Sequence, residues 1–385
     1  MMGSVGLSMA RRSKNENCGF CGQLPTNRTA TEISVPLGKR SRKRVGIRQI
    51  ADATGLSLMT VSRALNGKTE VLPATRDRVL AAASQLDYRP NGLGRALKSG
   101  RSGTVGVVAP PANDFCSQVI LGVHDRLAEA GVAPILQCCP KGGETHDATR
   151  ELLHRLVELR VEGVIFWPMG ANDQADLLPD IYFHEVWERG LPLVALDRAM
   201  PRTHADFSGT DDAGGGRLAA EHLLGLGHRR IVHLGGPGIG TYADRRAGFE
   251  RALERMGGVD YSFRRCENAE CAGEAAAVLR QPAATRPTAI FVSNDYYAVG
   301  VYDAARSLGL EIGRDLSVVG FADVPFASLL FPKLTTVKQD AIQIGRNAAE
   351  LLLDRIEGRV EAVQPRVVRI GCELVVRSST GPAPA

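Results

Sequence analysis

The chain has 385 residues, a length that predicts two or three compact units, and its composition (44% hydrophobic, 23% charged) is that of a folded globular protein. No apolar run approaches the roughly 20 residues that a membrane-spanning helix needs, and Arg11, Arg12 and Lys14 precede no apolar leader core, so neither a membrane partner nor export is expected and the cytoplasm is. The net charge of +5 hides a division: residues 1–101 carry 18 Lys and Arg against 6 Asp and Glu, and the remainder is net −7. A basic head on an acidic body fits a polyanion as the head's partner.

Residues 1–44 show no hydrophobic period and end in the basic run 39–44, which predicts a disordered extension. Cys18 and Cys21 form a CxxC with no second pair to complete a zinc site. The other cysteines, Cys116, Cys138, Cys139, Cys266, Cys271 and Cys372, lack regular spacing and are expected as reduced, mostly buried thiols. No metal or cofactor is expected.

From Gly46 to Asn66 the chain reads GIRQIADATGLSLMTVSRALN. Ala51 and Gly55 stand four apart and Val61 follows six later, the spacing of two helices packed across a tight turn. The small Ala51 permits close approach and Gly55 can take positive φ. Ile47, Ile50 and Ala51 stripe the first helix, and Val61 and Leu65 the second. The second helix's solvent side carries Ser57, Thr60, Ser62 and Arg63, suited to phosphates and base edges in a major groove. A third helix starts at Pro73 on a Val79, Leu80, Ala83, Leu86 stripe and stops at 87–90, closing a helix-turn-helix domain over 45–90.

Residues 91–98, Asn-Gly-Leu-Gly-Arg-Ala-Leu-Lys, are too short and glycine-rich to be helical alone, and a flexible linker continues to 103. Such a hinge can order on DNA, with Leu97 suited to wedging between base steps in the minor groove. A plain linker is the bland alternative.

From Thr104 short β-branched runs at 105–108, 163–166, 193–196, 231–234, 289–292 and 316–319 alternate with helical stretches, among them 119–130, 150–159 and 181–189. This α/β pattern predicts doubly wound parallel sheets in two lobes with a ligand cleft between them. The loop 235–240 lacks the G-x-G-x-x-G spacing, and Pro237 removes an N–H, so a glycine turn is expected there and not a dinucleotide site. His222, His228 and His233 read as structural. Asp197, Asn294, Asp295 and Asp323 end strands, and Arg245 follows one, where doubly wound folds bind ligands. Without a nucleophile and base pair, these groups point to holding a polyol and not to transforming it, so the chain is not read as an enzyme.

Over residues 45–379 the chain resembles the lactose-repressor/galactose-repressor (LacI/GalR) class of bacterial transcription regulators. The segments that carry the resemblance are GIRQIADATGLSLMTVSRALNG, TRDRVLAAASQLDYRPNGLGRALKSGRSGTVGVV, EHLLGLGHRRIVHLGGP, AIFVSNDYYAVG, LSVVGFADVPFASLLFPKLTTVKQ and CELVVRSST. The resemblance implies a sequence-specific repressor that acts as a homodimer, or a tetramer, on a pseudo-palindromic double-stranded DNA operator. It implies a periplasmic-binding-protein-like core over 104–379 that binds a sugar-like effector allosterically, with a disordered tail at 380–385 and a place at the nucleoid. The DNA-binding residues it implies are Ser57, Leu58, Met59, Thr60, Ser62, Arg63 and Asn66, with Asn91, Arg95, Leu97 and Lys98 in the hinge. The effector residues it implies are Phe115, Asp197, Arg245, Asn294, Asp323 and Gln339.

Two departures shape the expectations. Many sugar-binding members carry consecutive acidic residues where this chain has Ala322-Asp323. The chain is similar to the gluconate-regulator branch there, which moves the expected effector toward a sugar acid held by Arg245. Met59 stands where many members place a polar residue, implying apolar contact with a thymine methyl. The rivals are a solute-binding protein, which leaves the basic head unexplained, and a sugar-processing enzyme, which lacks a catalytic pair.

Overall fold

The computed structural model describes residues 45–88, 101–111, 113–139, 146–168, 186, 188–200, 205–236, 240–267, 270–360 and 364–384. The extension 1–44, the hinge residues Asn91, Arg95, Leu97 and Lys98, and nearly all of the helix expected at 181–189 lie outside them. The chain divides between residues 89 and 90 into two compact units.

The first unit holds α1 (Ile47–Thr54), α2 (Leu58–Leu65) and α3 (Pro73–Gln85). Gly55 ends α1 at φ 64, and the Leu56 N–H donates to the Ala51 carbonyl, so the turn takes the left-handed cap that the glycine permits. Ile50, Ala51, Val61, Ala64, Val71, Val79 and Ala83 form the core. Leu80, expected in that core, is 47% exposed, because its neighbour Val79 takes the inward position and consecutive helical residues cannot share a face. Val71, in the loop before α3, completes the core instead.

In the second unit, sheet one runs β11 (Val367–Ile370), β5 (Asp206–Thr210), β4 (Leu193–Leu196), β3 (Val164–Phe166), β1 (Thr104–Ala109), β2 (Ala133–Cys138), all parallel. Sheet two repeats that order as β12 (Glu373–Val375), β10 (Thr335–Lys338), β9 (Ser317–Ala322), β8 (Ala289–Val292), β6 (Arg230–Gly235), β7 (Asp260–Arg265), with only β12 antiparallel. The helices are α4 (Asp114–Glu129), α5 (His146–Glu158), α6 (Asp212–Gly225), α7 (Thr241–Met256), α8 (Cys271–Leu279), α9 (Asp295–Ser307) and α10 (Ala341–Ile356). The chain crosses between lobes three times, after β5, β10 and β11.

Each of the first two crossings leads into a helix held by paired glycines. The Asp211 and Asp340 side chains cap α6 and α10 by accepting from Gly214 N–H and Gln343 N–H. In lobe one, a Cβ on Gly122 would meet the Ile342 carbonyl and one on Gly345 the Val119 carbonyl. In lobe two, Gly216 stands against the Arg245 carbonyl and Gly248 against that of Ala213. Both post-crossover helices thus pack backbone to backbone on a neighbour.

Three expectations are corrected here. Residues 380–384 are not loose: the Ala383 N–H donates to the Leu226 carbonyl, and buried His228 holds Ser317 Oγ and the Gly381 carbonyl at 2.9 and 3.1 Å. Cys266 and Cys271, expected as thiols, are joined by a disulfide. Cys116 and Cys372 carry no disulfide, and burial pushes each thiol up to about 12. Finally, β2, β5, β7 and β10 to β12 join the six strands expected.

Asp295, at the start of α9, is wholly buried and accepts from Thr336 Oγ1 at 2.6 Å and Val324 N–H at 3.0 Å, tying α9 to β10 and to the loop after β9. Burial pushes its carboxyl up to about 6.

Gly345→Ala should lower the unfolding free energy by about 2 kcal/mol or more in urea titrations, because a backbone carbonyl cannot yield to the new methyl. Asp295 gives a pH signature. Its folded pKa lies above the unfolded value, so the native state holds the extra proton between about pH 4 and pH 6, and the Asp295 contribution to stability falls as pH rises through that window. Unfolding of wild type relative to Asp295→Asn should show that fall, whereas a flat or rising difference contradicts the assignment.

Candidate functional site

The first unit presents α2 as its recognition surface. Ser57 caps the helix, its Oγ accepting the Thr60 N–H at 3.1 Å, which fixes where the helix begins. Leu58 and Met59 follow at 44% and 64% exposure, far more open than the buried Val61 and Ala64 one turn on. Two large apolar side chains held open at a helix start cost solvation, which a partner that covers them returns. Thr60 and Ser62 are half-buried, and Arg63 is exposed, 3.5 Å from the exposed Glu70, a weak pairing that a phosphate can displace. Asn66 closes the helix, donating from Nδ2 to the Ser62 carbonyl at 2.7 Å.

The second unit holds a cleft of about 670 Å³. It lies at the C-terminal ends of the central strands of both sheets, where loops converge on open strand ends. Lobe one contributes Phe115 from the first turn of α4, Trp167 after β3 and Asp197 after β4. Lobe two contributes Tyr242 and Arg245 from α7, Asn294 and Tyr296 at the start of α9, and Ala322 from the end of β9. Gln339, at the second crossing, donates to Thr210 Oγ1 at the first, 2.7 Å away, so the two crossing segments are joined at the pocket. Across the cleft, Tyr296 Oη donates to Asp114 Oδ2 at 2.8 Å.

Arg245 is buried, and two of its three nitrogens are engaged. Nε donates to Asp212 Oδ1 and Nη1 to the Ser293 carbonyl, each at 2.7 Å, and the guanidinium carbon lies 3.9 Å from the Phe321 ring centre. Burial raises the Asp212 carboxyl, with Arg245 pulling it back down and Asp197 adding to the rise. Asp197 stands at φ 61, in a strained backbone region for a non-glycine residue. The Trp167 indole N–H donates to its carboxylate, yet Oδ1 is buried without a hydrogen-bond partner in the structure. Burial raises Asp197 as well, opposed by Arg245 and Arg198. Asp197 Oδ1 is therefore an acceptor without a donor at the cleft, beside a cation already paired with Asp212. An acceptor of this kind selects ligands that bring donors.

Of the six effector residues expected, Phe115, Asp197, Arg245, Asn294 and Gln339 line this cleft. Asp323 does not: at φ 56 its carboxylate turns away and accepts from Arg377 Nη2 at 2.7 Å, and Ala322 fills the wall position. Sequence reasoning missed Trp167, Tyr296 and Asp212. Trp167 directly follows the apolar run 163–166, at a strand end where doubly wound folds bind ligands, and this was the available signal. Among the described residues no cluster of His, Cys, Asp or Glu could hold a metal ion. The three histidines are structural: His233, pushed down to about 3 by burial, bonds Ser293 Oγ at 2.7 Å inside lobe two.

Comparison with known proteins finds a matching domain in each unit. Residues 46–91 match the family model for bacterial regulatory proteins of the lacI family, and residues 220–380 match a periplasmic binding protein-like domain. The HTH-type transcriptional repressor PurR of Vibrio vulnificus is 31% identical, the alignment covering 86% of this chain and 98% of that protein. The HTH-type transcriptional regulator reg1 of Streptomyces lividans is 35% identical, over 87% of this chain and 96% of its own. The lac repressor dimer bound to operator and an anti-inducer superposes with a TM-score of 0.75 at 28% identity, over 88% of this chain and all of its own. The regulator CelR in complex with cellobiose gives 0.63 at 28% identity, over 87% of this chain and all of its own. The chain belongs to the lacI family of bacterial regulatory proteins and is a DNA-binding transcriptional regulator with a small-molecule effector.

Proposed function

We propose that the protein is a cytoplasmic repressor whose homodimer reads a pseudo-palindromic operator through two copies of α2, under the control of a neutral sugar bound in the cleft. The observation that carries the effector class is the buried, unpartnered Asp197 Oδ1 beside an Arg245 already paired with Asp212. A sugar hydroxyl supplies the missing donor, and the Phe115 and Trp167 rings, 5.9 Å apart and edge to face, offer an apolar corner for a pyranose. A sugar acid would bring a further carboxylate against Asp197, toward an Arg245 charge already paired with Asp212. This moves the effector away from the gluconate type that the Ala322 position had favoured.

On the DNA side, Leu58 and Met59 are assigned to base edges and thymine methyls, and Ser57, Thr60, Ser62, Arg63 and Asn66 to phosphates and the groove wall. Asn91, Arg95, Leu97 and Lys98 are assigned to the hinge by the family resemblance. Control is linkage: effector and operator favour different arrangements of the lobes, so each changes the other's affinity by the same factor. The cleft reads as a binding site and not a catalytic one, because the Ser293–His233 contact is sealed in the core and faces no ligand.

Binding of the full-length chain to DNA upstream of its own gene tests this reading. Arg63→Ala should weaken binding across all sequences and reduce its salt dependence, whereas substituting Met59 should change preference at one base position by about 1–3 kcal/mol. Unchanged operator binding after deletion of residues 1–103 would overturn the assignment. Arg245→Lys should abolish effector response while leaving operator affinity within a few-fold, because an ammonium cannot hold Asp212 and the Ser293 carbonyl in the same fork. A fully retained response would show that the fork is not required.

A further inference from the structure

The Cys266–Cys271 pair sits directly behind the effector cleft. Cys266 directly follows β7 and Cys271 begins α8, with Cα atoms 5.5 Å apart, within the usual span of a disulfide. The pairing does not depend on the bond alone. The Glu270 and Cys271 N–H groups both donate to the Glu267 carbonyl, at 2.8 and 3.1 Å, so a hydrogen-bonded turn brings the two residues together. Both cysteines are wholly buried, yet Glu267 and Glu270 beside them are exposed, which puts the sulfurs one residue beneath the surface.

What the pair touches gives it a consequence. Cys266 and Cys271 belong to the same buried cluster as Tyr297, and Tyr242 packs against that cluster. The two tyrosine rings stack with centres 6.5 Å apart and planes within 9°, and both line the cleft. The Cys266 N–H donates to the Gly235 carbonyl at 2.9 Å, at the end of β6. Gly300 of α9 packs so tightly on the backbone at Cys271 and Ala272 that a Cβ would clash there. One covalent bond therefore ties the ends of β7 and α8 immediately beneath the wall formed by α7 and α9.

We propose that Cys266 and Cys271 form a reversible redox site that sets the rigidity of the lobe-two wall of the cleft. Disulfides in cytosolic proteins are uncommon and, where present, are usually transient or redox-sensing. Closure uses a disulfide oxidant such as oxidised glutathione. One cysteine thiolate attacks a glutathione sulfur and expels glutathione thiolate, and the second cysteine then attacks the mixed disulfide and expels the remaining glutathione. Two thiols are oxidised, one external disulfide is reduced, and the two cysteine protons pass to the leaving thiolates. A dithiol such as dithiothreitol reverses the exchange and becomes the cyclic disulfide. Because the sulfurs are buried, exchange requires a local opening that exposes them and is slow.

The test uses the full-length protein and needs no effector. After incubation with oxidised glutathione or with dithiothreitol, the protein is denatured and alkylated, and the peptide spanning 266–271 is weighed. The oxidised sample should carry no alkyl group on that peptide and the reduced sample two. Hydrogen exchange of the native samples should be slower by about fivefold or more in the oxidised form over 271–279 and 297–300. Wild type compared in the two redox states suffices, and Cys266→Ser/Cys271→Ser, if it folds, should exchange like the reduced form under both conditions. Two alkyl groups after oxidation, or a formed disulfide with unchanged exchange at 297–300, would overturn the proposal.

Discussion

A guanidinium keeps its charge in any protein environment, so burying Arg245 dictates what must surround it. It lies between the first turn of α6, through Asp212, the end of β8, through the Ser293 carbonyl, and the Phe321 ring at the end of β9. These are the strand and helix ends that form the lobe-two wall of the cleft. With Asp212 spent on that cation, the second carboxylate near it, Asp197 of lobe one, is left with an oxygen to satisfy. One buried ion pair thus organises lobe two at the cleft and sets what lobe one can accept from a ligand.

The two lobes can respond to such a ligand because each is rigid in itself. Reciprocal glycine contacts lock α4 to α10 in lobe one and α6 to α7 in lobe two at backbone distance, and in each pair one helix directly follows a crossing. The compliant elements are the three crossing segments, two of which Gln339 and Thr210 join at the cleft. The Tyr296–Asp114 contact spans the same opening. Ligand binding that alters how the lobes meet is therefore carried by a few hydrogen bonds and not by deformation of either core. Asp206, far along β5 from the cleft, shows the same economy. Burial alone would raise its carboxyl, but hydrogen bonds from Arg355 and Arg366 hold it below the usual range, pinning α10 and β11 to sheet one.

Much of this was legible in the sequence where local chemistry and tertiary context agree. The Ala51–Gly55–Val61 spacing encodes a turn that only glycine allows, and Gly55 adopts it. The six buried central strands read as apolar runs because both faces are covered. The edge strands β2, β7, β11 and β12 did not, since half-exposed strands carry mixed side chains, and β5 owes its place to Asp206 and its arginines more than to β-propensity. In the cleft, residue positions at strand ends were readable, but side-chain commitments were not. Nothing in the local sequence shows that Asp323 is claimed by Arg377 54 residues later, or that Arg245 is claimed by Asp212 33 residues earlier. Those long-range pairings take up the Arg245 charge and leave Asp197 Oδ1 as the acceptor without a partner.

Calorimetric titration of the full-length protein with neutral aldoses and their matched aldonates tests the central claim most directly. The account predicts that a neutral aldose binds and that its aldonate binds a hundredfold more weakly or worse, a difference of about 3 kcal/mol. An aldonate that binds as tightly as its aldose, or more tightly, would contradict it, because the Arg245 charge would then be open to ligand and not closed by Asp212.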